Sequence, residues 1–138
     1  MKVIGFGLEK ISSEKKNSIK DKLEISANTE IKEITEEKVE ALKEVSLLKL
    51  TFEFKLEYKP DIANIEIGGY VLISTEKKEA KEILKKWKSK ELDDEMRLNV
   101  LNFIISKTSL KALQIEEDLE LPFHMPFPRV MKKKEDKA

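Results

Sequence analysis

Within the stretch Ser46–Lys59 the chain alternates apolar and polar residues without a break from Leu48 onward. Leu48, Leu50, Phe52, Phe54, Leu56 and Tyr58 fall on one side, and Lys49, Thr51, Glu53, Lys55 and Glu57 on the other. Successive side chains of a strand point to opposite faces, so this predicts a strand with one buried and one wet face, the pattern of an antiparallel sheet. Lys59-Pro60-Asp61 is turn chemistry. Ile62–Ser74 then returns as a strand, with Ile65, Ile67, Val71 and Ile73 on one face and Tyr70 and Leu72 on the other. That second face is therefore partly apolar. Gly68-Gly69 predicts a bulge or bend. Two further strands precede this pair. Val3–Ile11 places Ile4, Phe6 and Leu8 opposite Gly5 and Gly7, a flat face open to close approach. Lys22–Ile34 places Leu23, Ile25, Ala27, Thr29 and Ile31 opposite Glu24, Ser26, Asn28 and Glu30. Thr35–Glu44 is charged, with Val39 and Leu42 as its large apolar residues, and reads as a loop or one short helix.

After Thr75 the period changes from 2 to 3.6. Glu76–Lys88 puts Ala80, Ile83, Leu84 and Trp87 on one stripe, with Thr75 as the expected N-cap. A second helix starts at Asp93 and is expected to run to about Lys107–Leu113. Its polar positions Glu95, Asn99, Asn102 and Ser106 make one thin stripe, while Met96, Leu98, Val100, Leu101, Phe103, Ile104 and Ile105 cover the rest. A helix so apolar is buried on more than one side. A four-stranded sheet covers one side of it, so a second subunit is expected on another. Met96, Val100, Phe103 and Ile104 are the expected interface residues of an isologous dimer or dimer of dimers. The alternative is that the first helix and the segment after the second cover it. Leu110–Leu121 is acidic and compatible with an isolated helical turn. The pattern as a whole predicts an α+β fold, a four-stranded antiparallel sheet with helices packed on one face. One domain is expected over residues 1–130, followed by a charged, disordered tail over 131–138.

Leu121–Val130, LPFHMPFPRV, breaks both periods. It holds three of the four prolines, two of the six phenylalanines and the single histidine. Proline fixes φ and lacks the backbone donor, so the stretch is neither helix nor central strand. It is expected as an extended strap. Phe123, Met125 and Phe127 on it, and Leu121 at its start, need a surface to lie against, on this chain or on another.

Composition narrows the function. Lys+Arg and Asp+Glu both number 27 in 138 residues. Zero net charge supplies no long-range field for nucleic acid, which argues against a dedicated nucleic-acid binder. There is no cysteine, hence no disulfide, thiol chemistry or thiolate metal site. No apolar run approaches a signal peptide or a membrane span, so a cytoplasmic protein without membrane insertion is expected.

Catalytic chemistry is thin. His124 stands alone among prolines with no acid–base partner nearby in sequence, and a metal site needs several ligands at definite spacing. Asp93-Asp94-Glu95 reads as a helix start rather than a Mg²⁺ site, because acidic residues favour the first turn. Glu116-Glu117-Asp118 reads as a solvated acidic turn. Gly68-Gly69 lacks the lysine and hydroxyl residue of a phosphate loop. No enzyme, cofactor or metal is expected. What remains is apolar: Tyr70 and Leu72 on the sheet's second face, and Leu121, Phe123, Met125 and Phe127 on the strap. Methionine and phenylalanine adapt to varied partners. Equally, the strap could close its own sheet edge and finish the core.

The order of parts resembles the SecB protein-export chaperone and its relatives, which include chaperones serving toxin–antitoxin systems. The resemblance lies in the long strand Leu48–Tyr58, the glycine-containing strand Ile65–Ser74 (IEIGGYVLIS), the long helix and the proline-containing segment from Leu121-Pro122 onward. Gly69-Tyr70-Val71 matches the family's glycine and hydrophobic residues on the fourth strand. The resemblance implies an ATP-independent, tetrameric chaperone that holds unfolded or nascent polypeptides in apolar grooves. It would keep them soluble or export-competent, with Tyr70, Leu72, Leu121, Phe123, Met125 and Phe127 touching the client. A dedicated adaptor or antitoxin-type partner protein would use the same surface for one target. Two departures stand out. The family's helix after the loop has no counterpart here, and its acidic position before the fourth-strand glycines is Asn64. The second weakens the expectation that the export ATPase docks.

Overall fold

A computed structural model describes residues 1–20, 22–38 and 44–126. The loop or short helix expected over Thr35–Glu44 is replaced at its start by strand, since Thr35–Glu37 continue β2; Val39 and Leu42 lie outside the described residues, as do Phe127 and the charged tail. The elements are β1 (Lys2–Lys15), β2 (Glu24–Glu37), β3 (Val45–Lys59), β4 (Ala63–Glu76), α1 (Lys77–Trp87) and α2 (Asp94–Asp118). The strands form one antiparallel sheet in the order β1-β4-β3-β2, so β1 and β2 are its edges. Both helices pack on the same face. The expected α+β architecture is the one observed.

The alternating code of β3 sets the layers. Leu48, Leu50, Phe52, Phe54, Leu56 and Tyr58 are all buried beneath the helices. Directly opposite on β4 stand Ile73, Val71, Gly69, Ile67, Ile65 and Ala63, which share that face. Directly paired residues of an antiparallel ladder lie on the same side, so the pairings assign the whole sheet. Two core clusters result. One lies under α1 and the first half of α2, around Leu48, Val71, Ile73, Ile83 and Val100. The other lies under the second half of α2, around Leu56, Tyr58, Ile65, Ala112 and Ile115. Each fully buried large side chain contributes about 1.5–3 kcal/mol relative to exposure.

The expected irregularity at Gly68-Gly69 is found across the ladder instead. The register shifts lie in β1, between Val3 and Gly5 and between Leu8 and Lys10, the latter opposite the glycine pair. A Cβ on Gly69 would run into the backbone carbonyl of Gly7 and come within 3.1 Å of Leu8 Cα. Bulged β1 approaches β4 there more closely than a side chain permits. The first shift also changes the face expected for Ile4. Val3 pairs with Ile73 and packs on the core, while Ile4 is half exposed.

Helix ends differ in detail. Glu76, not Thr75, is the N-cap of α1, and the Thr75 hydroxyl instead donates to Glu79 at 2.8 Å. Asp93 caps α2 as expected, with no side-chain cap bond. α2 does not stop near Leu113. It runs to Asp118, because Ala112, Ile115 and Glu116 continue its buried stripe over the second core cluster. The acidic stretch is therefore the last turns of one helix rather than an isolated turn.

Candidate functional site

Met96, Val100 and Ile104 lie against the chain's own sheet, and Val100 and Ile104 are inaccessible to any partner. This corrects the interface expected from the sequence. The spacing i, i+4, i+8 points these residues inward, and the sheet alone satisfies them. Phe103 is half-buried, edge-on to Phe6 at 5.8 Å. The large apolar α2 side chains that remain exposed are Leu98, Ile105 and Leu110, the last 65% exposed.

The expected client-contact residues divide between two faces. Leu72 lies over Gly5 and Tyr70 over Gly7: a Cβ on Gly7 would sit 2.6 Å from the Tyr70 hydroxyl. The two glycines thus let these side chains lie flat across β1, and Lys49 Nζ stands 5.0 Å from the Tyr70 ring. This is the sheet's open face. Beyond Tyr70 it becomes an ionic grid: Lys32 with Glu30 at 2.6 Å, Lys55 with Glu53 at 3.0 Å and Lys10 with Glu66 at 3.1 Å. The hydrogen bond with Lys32 lowers the Glu30 carboxyl below its ordinary range and raises the Lys32 ammonium. Such exposed pairs order a surface more than they stabilise it.

The strap lies on the opposite, helix-bearing side. Leu121 is buried in the second core cluster, which removes it from the expected contact set. Phe123 and Met125 are exposed, and Phe127 lies outside the described residues. The structure therefore brings Phe123 and Met125 together on the strap but separates them from Tyr70 and Leu72 by the thickness of the sheet.

His124 holds the strap down. The wholly buried Glu116 carboxylate accepts from the His124 backbone N–H at 2.8 Å and pairs with the ring Nδ1 at 2.8 Å. The Tyr58 hydroxyl makes a short hydrogen bond to the same carboxylate and lies 2.9 Å from the Pro122 carbonyl. Burial, then the Glu116 bond, push the Tyr58 phenol far above the ordinary tyrosine range. The sequence offered Glu116 only as an acidic turn residue and left His124 without a partner. The signal for their pairing was faint: an acid in the last turns of an apolar helix, eight residues before a histidine. Hollows open elsewhere, three around the β3–β4 turn and one between α1 and the start of α2. One of about 300 Å³ is lined by residues including Lys16, Lys55, Glu57 and Asp61, and His124 borders none of those described.

A third apolar area was missed in the sequence. Leu8 and Ile11 face the helix side of β1, through their pairing with Gly69 and Ile67, yet both stay exposed. They lie between two points where β1 touches α2: Phe6 against Phe103, and Lys15 Nζ on the Leu119 carbonyl at 3.1 Å. Leu110 follows Phe103 by seven residues, two helical turns, and so projects on the same side of α2. A trough therefore runs between β1 and α2. Leu8 and Ile11 form one wall, and Phe103 and Leu110 the other, with Lys107 over the Phe103 ring. The edge of β1, which has no strand partner on its outer side among the described residues, borders it.

Among the described residues no helix is long and apolar enough to cross a membrane, and no three His, Cys, Asp or Glu side chains are grouped as a metal site. No protein-family model matches the chain, and no curated protein sequence does. Among solved structures, one similar chain is the SecB-like chaperone Rv1957 of Mycobacterium tuberculosis, in complex with a ChAD peptide from the HigA1 antitoxin Rv1956. It is 11% identical, with a TM-score of 0.49, covering 94% of this chain and 92% of that one. At that identity and score the likeness carries no weight for function.

Proposed function

We propose that this chain is an ATP-independent holdase that binds unfolded or nascent polypeptides through the trough between β1 and α2. The observation that carries the reading is the exposure of Leu8 and Ile11 on edge strand β1 and of Leu110 on α2. A monomer rarely leaves such a row of large apolar side chains uncovered without use. An extended client would bury them, at about 25 cal/mol per Å² of apolar area before ordering costs. It would also add backbone hydrogen bonds to the β1 edge, which any sequence can supply. Phe123 and Met125 on the strap extend the apolar contact. The Lys- and Glu-rich remainder of the surface keeps such a protein soluble. Nothing in this binding consumes a nucleotide or requires a metal. Self-association into a homo-oligomer, a dimer of dimers, belongs to the same proposal, with Leu98 and Ile105 replacing Met96, Val100 and Ile104 as contact residues. So do a cytoplasmic location and a role in keeping clients competent for export.

A second reading, an adaptor or antitoxin-type protein with one partner, draws on Tyr70 and Leu72. Their apolar spot is small and framed by Lys49 and the ion-pair grid. Charge patterns of that kind confer selectivity more than affinity. The test is aggregation of an unrelated, chemically unfolded protein, with no ATP and equimolar chain. Suppression supports the holdase; no suppression, with one protein recovered on the immobilised chain, supports the adaptor.

A further inference from the structure

The strap's fastening is made largely to its main chain. Of the polar contacts that hold Leu121–Pro126, the Tyr58 hydroxyl, its one proton shared with Glu116, meets the carbonyl of Pro122, and the Glu116 carboxylate accepts the N–H of His124. These are an acceptor and a donor two residues apart, which any extended segment presents in the same way. Glu116 and Tyr58 are both buried and belong to α2 and β3, so both groups of the seat lie outside the strap. The side chains add an apolar anchor at Leu121 and a donor to Glu116 from the His124 ring, three residues on. Pro122, between them, needs no N–H.

We propose that Tyr58 and Glu116 form a seat for the main chain of an extended polypeptide, occupied by the chain's own Leu121–Pro126 until a partner segment of the same form displaces it. The proposal rests on the reading that this protein binds polypeptides. The resident segment fits imperfectly. Among the described residues its buried His124 Nε2 has no hydrogen-bond partner, and an unsatisfied buried polar atom is costly. A segment with asparagine or glutamine at that position would give Glu116 its donor without the orphaned ring nitrogen. The partner chemistry is thus a large aliphatic residue followed, three residues later, by a side-chain amide or imidazole, in extended conformation. The strap leaves α2 through one tight turn, at Leu119 and Glu120, where Glu120 has φ 53°. That turn is the place where the segment would swing away without disturbing the sheet.

The test uses a fluorescein-labelled synthetic peptide copying residues 121–130, titrated by anisotropy into the full chain and two variants with a loosened strap. His124→Ala removes the ring contact. Pro122→Gly raises the entropy lost when the strap docks and leaves the core untouched, so it serves if the first variant does not fold. Both variants are expected to bind the peptide at least tenfold more tightly than the parent. Adding Tyr58→Phe to either should reverse the gain. Equal binding by parent and variants overturns the proposal. So does doubling of the variants' mass without peptide, which would mean the seat takes the strap of a second copy. Suppression of aggregation by the parent, with no peptide bound by any variant, removes this inference and leaves the proposed function intact. Peptide binding with no suppression does the reverse.

Discussion

Glu116, with no exposed surface, holds His124 at two points, its backbone N–H and its ring Nδ1, each at 2.8 Å. A carboxylate this deep is tolerated because Tyr58 and His124 satisfy it, and they in turn depend on it. Glu116→Ala should therefore lower the unfolding free energy by about 3 kcal/mol, since two buried donors and the phenol lose their acceptor together. Chemical denaturation measures it. A loss below about 1 kcal/mol would show that water replaces the carboxylate freely.

Tyr58 makes stability fall at alkaline pH. Its phenol is raised well above the ordinary value by burial and by Glu116, so the folded chain keeps a proton that the unfolded chain releases. The stabilisation is complete below about pH 10, the ordinary tyrosine value, and is lost progressively as pH rises beyond it. Stability followed from pH 8 to 11.5 should drop more steeply for the parent than for Tyr58→Phe. Parallel curves would contradict the assigned cause.

The two adjacent glycines of β4 should respond unequally to alanine. At Gly69 a methyl meets the backbone of Gly7, which has nowhere to move, and a loss of about 2 kcal/mol is expected. At Gly68 the nearest atom to a new Cβ is Phe52 O at 3.6 Å, ordinary contact, and the change should stay within about 0.5 kcal/mol. Thermal melts of the two variants decide it; similar losses would mean that the β1 bulge does not press on Gly69.

Strap residues should separate by burial. Leu121→Ala opens a cavity in the second core cluster and should cost about 2–4 kcal/mol. Phe123→Ala with Met125→Ala should leave the melting temperature near the parent's while weakening client capture about tenfold, as expected when contact residues and not core residues are cut. If the double variant melts early and still captures client, the strap is a structural clasp alone.

The sheet was legible because β3 and β4 carry a strict period of two over long runs, and a one-residue slip would have turned Leu48 through Tyr58 to water. The bulges were misplaced because Gly68-Gly69 signals close approach without saying which strand bends to make it. α2 misled for a related reason. Its Met96, Val100 and Ile104 looked like surplus apolar surface, but spacing alone cannot say that a sheet this long reaches all of them. The surface that does remain, Leu98, Ile105 and Leu110, was readable as apolar and not as exposed. The exposure of Leu8 and Ile11 was not readable for the same reason: α2 stops short of covering β1, and no local pattern encodes where a helix lies across a sheet. The Glu116–His124 pair depends on the course of the strap after α2, which proline content describes as extended without giving a direction.

The trough between β1 and α2 is the centre of this account, and light scattering tests it most directly. The mass of the chain is measured alone and with an equimolar chemically unfolded client, for the parent and for Leu8→Lys with Leu110→Lys. The account expects a soluble complex, of chain plus client mass, with the parent at no added ATP. It expects free chain and precipitated client with the double variant, whose melting temperature stays near the parent's because both positions are exposed. A parent whose mass does not change while the client aggregates, or a double variant that captures client as well as the parent, would contradict it.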